Sequence, residues 1–488
     1  MNSDQPPPPN PPLDNTGPIP TPMQQTRDVP PDRNEPLDDL SSTTSDTDLG
    51  LNRPCRIKGI NFEGAKRTRP YILSKMVTDI FPAQTLWDLL ERAVQVRENL
   101  RSLNAFSEIE IKVEPIDGTN NTDYILTFVV TEKGRIIAST EAACDSRSVQ
   151  THLNLDLTAP NMTGIGDSVQ FSTRFKRRFH SGECKYSVPL KPWKQLFNPI
   201  YSLAYSQYQY DSQPNGIDQE DKSIINRIDF LSHPMVQHSI SFENVWRYIK
   251  SSSLATPREI REQSGHSVKS SLRHDLTWDS RVGGKYPFAG VLAGVTNEFT
   301  INLVHNSAKF TRHEAHLQLN TLIKPEIDLL CQINMTAGSL IRPQKMNICD
   351  RFYLGGPLTL RGFKLHGVGP SCGNYPLGGQ SYLSAGIHLY SILPYTKPDS
   401  TINQHLRLHA FFNSGTIGDL GEIRNISRNN FKTELVKFRD SFRHSCGFGL
   451  VLYLMSLRLE INYCFPLVYR DSDLINHGHQ WGIGFRFT

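Results

Sequence analysis

The sequence predicts an antiparallel β structure, a transmembrane β-barrel or a two-sheet sandwich, preceded by a small α/β domain and an unstructured arm. Three observations carry this. From about Gly134 to Thr488 apolar and polar residues alternate with period two, as in strands that present one apolar face. Residues 54–133 follow a strand, helix, helix, strand, strand order instead. Nowhere does the chain hold the run of about 18 apolar residues that a membrane helix requires, and its mean hydropathy is −0.40. Barrel strands escape that test, because each is only about 10 residues long and only every second side chain meets lipid.

The arm comes first. Residues 1–50 hold twelve of the 32 prolines, nine acidic residues and two basic ones, Arg27 and Arg33. Such a composition buries too little apolar surface to fold, so an acidic, Pro-rich disordered tail is expected over 1–53. Its formal charge is −7 within a chain of +4, so the remainder carries +11. The basic residues are spread along alternating strands and form no dense patch, so no nucleic-acid partner is expected. Residues 1–30 have no apolar core behind a basic start, which points to delivery from the cytosol. The eight cysteines are scattered with no Cys-x-x-Cys pair, supporting neither a zinc site nor a disulfide scaffold.

In the α/β domain, placed at 54–133, a strand is expected over 55–62 and helices over about Pro70–Ile80 and Leu86–Asn104. Thr85 and Asp88 have the spacing of a capping box. Leu86, Leu89, Leu90, Ala93, Arg97, Leu100 and Leu103 give the second helix a largely apolar face. Ile109, Ile111 and Val113 then alternate with Glu108, Glu110 and Lys112, and a further strand runs from about Asp123 to Val130.

Beyond residue 134 the alternation is plain. Leu457, Leu459, Ile461, Tyr463 and Phe465 oppose Arg458, Glu460, Asn462 and Cys464. Leu406, Leu408, Ala410 and Phe412 oppose Arg407, His409, Phe411 and Asn413, and Val169, Phe171, Thr173 and Phe175 oppose Gln170, Ser172, Arg174 and Lys176. So many charges on the second face exclude strands buried on both sides. A sandwich with water outside and a barrel with water inside both fit.

The most informative segment is Arg351-Phe352-Tyr353-Leu354-Gly355-Gly356-Pro357-Leu358-Thr359-Leu360-Arg361-Gly362-Phe363. Its glycines and proline present one arginine between apolar neighbours, which is turn chemistry built around a guanidinium. The order Phe-Tyr-Leu-Gly-Gly, a spacer, then Leu-Arg-Gly-Phe resembles the signature loop of the BamA-like outer-membrane assembly superfamily. The resemblance is nearest to the branch that forms the core barrel of the mitochondrial Sorting and Assembly Machinery. It implies a membrane β-barrel of about 16 antiparallel strands over 134–488, a single POTRA domain before it, and a signature loop folded inward over about 345–380. Dividing the 355 residues of the barrel among 16 strands leaves about 22 per strand and connection, which the fold permits.

The resemblance also names residues. Arg351, Gly355, Gly356, Leu360, Arg361, Gly362 and Phe363 belong to the loop, and Arg361 is expected to pin it against the inner wall. Phe412-Asn413-Ser414-Gly415 aligns with a wall motif that usually carries an aspartate where this chain has Asn413. Asn413, Gly415 and, as a substitute carboxylate, Glu460 are therefore the expected docking wall. Pro160-Asn161-Met162-Thr163-Gly164-Ile165-Gly166 is a second family-like element near the first hairpin. The last strand, with Gln480, Gly482, Phe485 and Phe487 in the key places, fits the mitochondrial β-signal, the label carried by precursors of such barrels.

No Gly-x-Ser-x-Gly, His-Glu-x-x-His or phosphate-loop pattern is present, and His313-Glu314-Ala315-His316 has the wrong spacing for zinc. No enzyme activity, cofactor or metal is expected. What the resemblance implies is insertion of β-barrel precursors into the mitochondrial outer membrane by strand templating at a lateral seam. It implies precursor clients and membrane lipid as partners, with metaxin-like subunits and an inner-membrane organising complex beside them. A passive or polypeptide-conducting pore is the alternative, and a soluble sandwich the third reading.

Overall fold

The computed structural model describes residues 53–116, 122–144, 151–175, 180–193, 197–210, 213–301, 309–344, 346–396, 400–418, 440–454 and 457–484. The arm expected over 1–53 lies outside these except for Arg53, as do Phe485 and Phe487 of the last-strand pattern.

The α/β domain runs β1 (Arg56–Glu63), α1 (Pro70–Met76), α2 (Leu86–Ser102), β2 (Phe106–Pro115) and β3 (Asp123–Glu132). β3 lies between β1, to which it is parallel, and β2, to which it is antiparallel. Its central place explains why Leu126, Phe128 and Val130 are buried. The first helix is shorter than its spacing suggests: it ends at Met76 and yields to a 3-10 turn, Thr78–Ile80. Two β-branched residues, Val77 and Thr78, followed by Pro82, disfavour further α-helical turns.

Thr85 caps α2, its Oγ1 accepting from the Asp88 amide at 3.2 Å. The Asp88 carboxylate accepts from the Gln84 amide at 3.3 Å, one residue before the place a capping box would use. Leu89, Ala93, Val96 and Leu100 form the buried stripe, rotated from the expected face so that Leu86 and Leu90 are only half-buried. Each fully buried leucine contributes about 1.5–3 kcal/mol, so this stripe holds the domain together.

Sixteen strands make the second body. They are β4 (Ile137–Cys144), β5 (Thr151–Pro160), β6 (Ser168–Phe175), β7 (His180–Pro189), β8 (Ile200–Tyr210), β9 (Ile217–His233), β10 (Val236–Ser251), β11 (Gly265–Asp279), β12 (Ala289–Ile301), β13 (Lys309–Lys324) and β14 (Leu329–Gln344). A long loop holding the small hairpin β15 (Ser371–Cys372) and β16 (Tyr375–Pro376) intervenes. Then come β17 (Ser381–Ser391), β18 (Leu406–Gly418), β19 (Arg443–Leu454), β20 (Leu457–Val468) and β21 (Gly478–Gly484). Each pairs antiparallel with the next along the chain, β14 pairing with β17 across the loop. β4 and β21 approach each other at the two ends of this order, and among the described residues no ladder joins them. The sheet therefore curls into a barrel whose seam, among the described residues, lies unpaired between β4 and β21.

Burial separates barrel from sandwich. On β20 and β21 the polar face is the hidden one, with Arg458 4%, Glu460 1%, Asn462 1% and Gln480 5% exposed. The opposite face is open, with Trp481 66% exposed and Ile461 exposed too, and the same outward face of the neighbouring strands carries Phe448, 60% exposed, Phe412 and Ile387. A water-soluble sandwich would bury those rings and expose the charges, so the sandwich reading is wrong. An outward apolar band around a polar interior is what a bilayer selects. Among the described residues no helix is long and apolar enough to cross a membrane.

Candidate functional site

The loop after β14 turns back into the barrel and is held at its start, middle and end. Ile348–Asp350 form a 3-10 turn whose Ile348 packs with Ile217, Ile249 and Ile260. Asp350 accepts from Arg247 Nη1 at 3.2 Å on both carboxylate oxygens, and Lys269 Nζ lies 3.6 Å away. Arg247 and Lys269 stand on β10 and β11, across the barrel from the seam. The loop then narrows through bridges between Phe352 and Gly379 and between Leu354 and Val368. Gly355 and Gly356 have φ of 107° and 115°, which side chains rarely adopt, so this pair makes the reversal.

The reversal delivers Arg361. Phe352, Leu354, Leu360, Phe363 and Val368 pack with Phe310, Leu340 and Ile417, an apolar plug that fixes the backbone on both sides of the arginine. Arg361 is 1% exposed. Its Nε donates to Glu460 Oε2 at 2.9 Å and its Nη2 to Oε1 at 3.1 Å, the two-pronged geometry that a guanidinium and a carboxylate share. Arg458 pairs with the same carboxylate, and Asn462 Nδ2 donates to Glu460 Oε2 at 2.9 Å. Phe411 places its ring 5.3 Å from the guanidinium carbon.

Asn413 stands where the related wall motif carries an aspartate. With its amide oxygen turned to the guanidinium, the orientation its neighbours favour, it accepts from Arg361 Nη1 at 3.3 Å and donates to Phe412 O at 3.2 Å. It supplies the acceptor without the charge, and Glu460 supplies the charge. Gly415, two residues on, leaves room for the plug: a Cβ there would lie 3.0 Å from Leu354 Cδ2. Gly482 stands opposite Glu460 in the β20–β21 ladder. Arg351 has a different place from Arg361. Half-buried, it donates to Leu377 O at 3.3 Å and so braces the loop against itself.

Gln480 has a contact that its strand pattern did not foretell. Its Oε1 accepts from Gly362 N at 3.0 Å and its Nε2 donates to Phe363 O at 2.8 Å, so one side-chain amide reads the backbone on both sides of a peptide link. Lys364 N donates to Leu474 O at 2.8 Å and Asn476 N to Gly362 O at 2.9 Å. The loop therefore runs alongside the final hairpin. Gly362 has φ of 85° and lies flat on the wall, where a Cβ would meet Ser445 Cβ at 3.3 Å.

Asp473 completes the attachment. It accepts from Arg443 Nε and Nη2 at 2.9 and 3.0 Å and from Gly369 N at 3.1 Å. Arg247, Asp350, Arg443 and Asp473 were not singled out from sequence, since a lone charge in an alternating strand or a turn looks like any other polar residue. The loop is thus strapped from β10 and β11 on one wall to β19, β20 and β21 beside the seam. Partner-depleted charges at these depths are costly, about 3–5 kcal/mol for removing one member of a buried pair.

Comparison with known proteins agrees with this geometry. The Omp85 superfamily domain matches residues 138–487, and the POTRA family, described as surface antigen variable number repeat, matches residues 55–133. The sorting and assembly machinery component 50 homolog of Mus musculus is 30% identical over 449 residues, 89% of this chain and 91% of that protein. A SAM50-like protein of Drosophila melanogaster is 28% identical over 448 residues, covering 89% and 95%. Among solved structures, BamA from Haemophilus ducreyi lacking POTRA domains 1–3 superimposes with a TM-score of 0.71 at 14% identity, covering 88% of this chain and 85% of that one. The chain, one POTRA domain before a sixteen-stranded barrel with its loop strapped across the lumen, belongs to the Omp85 superfamily, in the branch of the sorting and assembly machinery component 50.

Proposed function

We propose that this protein inserts β-barrel precursors into the mitochondrial outer membrane, using the seam between β4 and β21 as the template. The assembly role comes with the family; the seam is the observation that supports the step. A closed barrel offers no free strand edge, whereas here β4 and β21 each lack a ladder partner on one side among the described residues. In hydrocarbon an unpaired backbone group costs several kcal/mol, so a precursor strand gains by pairing there before it enters lipid. β4 would present its amides and carbonyls to the precursor's final strand, and successive hairpins would follow.

Arg361 acts through the loop: its pair with Glu460 holds the strap beside β20 and β21 while the seam exchanges partners. Metaxin-like subunits and an inner-membrane organising complex are the companions proposed by resemblance. A conducting pore is the second reading, favoured by a lumen cavity of about 900 Å³ beside the loop, lined by Gln332, Asn334, Arg312 and Arg351.

The test is assembly of radiolabelled porin precursor by mitochondria depleted of this protein and rescued with wild type or Arg361→Ala at matched levels. Rescue by wild type with a stalled precursor in the variant is expected. Normal assembly after depletion would discard the insertase reading in favour of the pore.

A further inference from the structure

The element Pro160–Gly166 has no part in the loop or the seam, yet it is among the most constrained pieces of the chain. It forms the turn between β5 and β6, on the rim from which β4 leaves the POTRA domain. Asn161 is 1% exposed, with φ of 51°. Its Oδ1 accepts from Gly166 N at 2.9 Å, closing the turn on itself, and its Nδ2 donates to Thr68 Oγ1 of the POTRA domain at 2.8 Å. Thr68, also buried, passes the chain on by donating to Glu132 Oε1 at 3.0 Å. That carboxylate further accepts from the Arg67 and Thr68 amides at 2.9 and 3.0 Å, and its other oxygen from Arg67 Nε at 3.1 Å.

Backbone and packing reinforce the relay. Arg69 N donates to Gly164 O at 2.8 Å, and Arg69 Nε to Thr163 O at 3.0 Å. A Cβ on Gly164 would overlap Arg67 O and one on Gly166 would overlap Leu103 Cδ2, so both glycines exist to let the two bodies touch. Ile165, and Trp193 from the turn after β7, pack on the POTRA core, and Asn99 Nδ2 donates to Trp193 O at 3.4 Å. Two successive rim turns thus grip the domain. It is tied a third time by the four residues between β3 and β4.

Resting on the insertase reading, we infer that the 161–167 turn is a socket that seats the POTRA domain on the rim beside β4. Thr68, Asn161 and Glu132 are its positioning residues. β4, β5, β6 and the POTRA domain then form one leaf of the seam. A precursor strand meets a template whose distance from the POTRA domain is fixed.

The experiment compares full-length wild type, Thr68→Val and Thr68→Ser. Valine keeps the shape and removes the hydroxyl from both hydrogen bonds; serine restores it. Amide hydrogen exchange over residues 66–70 and 160–167 reads the docking, with β12–β14 as an internal control, and porin-precursor assembly in depleted mitochondria reads the function. Thr68→Val is expected to raise exchange in both segments about tenfold, leave β12–β14 unchanged and slow assembly, with Thr68→Ser close to wild type. Unchanged exchange in Thr68→Val overturns the socket. Raised exchange with normal assembly overturns the positioning role. If wild type itself restores no precursor assembly, the insertase reading fails, while the exchange measurements still decide the socket.

Discussion

The signature loop and the POTRA domain are both fastened to the same barrel, by opposite chemistry. Inside the lumen the fastening is ionic: Arg361 with Glu460, Asp350 with Arg247, Asp473 with Arg443, each nearly sealed from solvent. At the rim two turns do the work through hydrogen bonds from Asn161, Asn99 and the Arg69 guanidinium to neutral acceptors, with glycines pressed against Arg67 and Leu103 and a single carboxylate behind them. The difference follows from surroundings. A loop crossing a polar, enclosed lumen finds only small apolar patches on the wall, such as Phe310, Leu340 and Ile417, so charges complete its hold. A domain resting on a rim has an apolar core to share, so shape and hydrogen bonding suffice. Fastening by charge is strong and all-or-none, because a broken pair strands a buried ion.

The sharpest way to break the contrast is at Glu460. Glu460→Ala leaves Arg361 and Arg458 buried without their carboxylate and is expected to cost about 3–5 kcal/mol, releasing the loop and abolishing precursor assembly. Loss of the heat-resistant folded band on cold electrophoresis reads the first effect. Exchanging Glu460 together with both arginines for methionine strands no charge and should be milder than Glu460→Ala alone, and a harsher result would show that the charge itself is used.

Next is Gln480→Leu, which leaves Gly362 N–H and Phe363 C=O buried without their partner, at about 2–4 kcal/mol. Because Gln480 also lies in the β-signal pattern, the measurement belongs on protein refolded in detergent, where delivery plays no part. Protease cleavage within residues 355–369 should appear in the variant, and its absence would place the loop's hold elsewhere.

At the rim, Gly166→Ala forces a methyl into Leu103 at a φ of 84° and should cost about 1–3 kcal/mol. The barrel should keep its heat resistance while the POTRA domain becomes more susceptible to trypsin; equal loss of both would mean that rim and lumen are one cooperative unit.

The smallest effect is on pH. Burial pushes the Glu132 carboxyl up, but the Arg67 and Thr68 amides, the Arg67 guanidinium and the Thr68 hydroxyl together hold it below the usual range. A carboxyl lowered on folding contributes stability that is complete above its unfolded value of about 4.3 and lost as pH falls through the folded one. Docking followed by exchange at residues 66–70 should therefore be level from pH 8 to 5 and weaken only below about pH 4. Glu132→Gln should remove that acid limb.

Much of this molecule is legible from residue order. The POTRA elements lie within a few residues of their expected places because a 3.6-residue stripe and a two-residue alternation are local properties. Arg361 stands out because glycines and a proline frame it. Glu460 could be named only as a substitute for the aspartate of the related wall motif, and Asp350, Asp473 and Gln480 as loop anchors not at all, since each lies some 100 residues or more, or a whole barrel wall, from what it holds. The glycine turn at 164–166 resembles a family element in sequence but shows no role there, because what makes it special is the domain pressed against it.

The sequence by itself determined the strand alternation, the small α/β domain ahead of it and the family, since these depend on spacing and short motifs that a chain carries wherever it folds. Only the tertiary structure decided which face of each strand is hidden, which carboxylate meets Arg361, that a glutamine clasps the loop, and that among the described residues no ladder joins β4 to β21. Those are outcomes of closing the sheet, and closure brings together residues whose separation along the chain bears no relation to their distance in space.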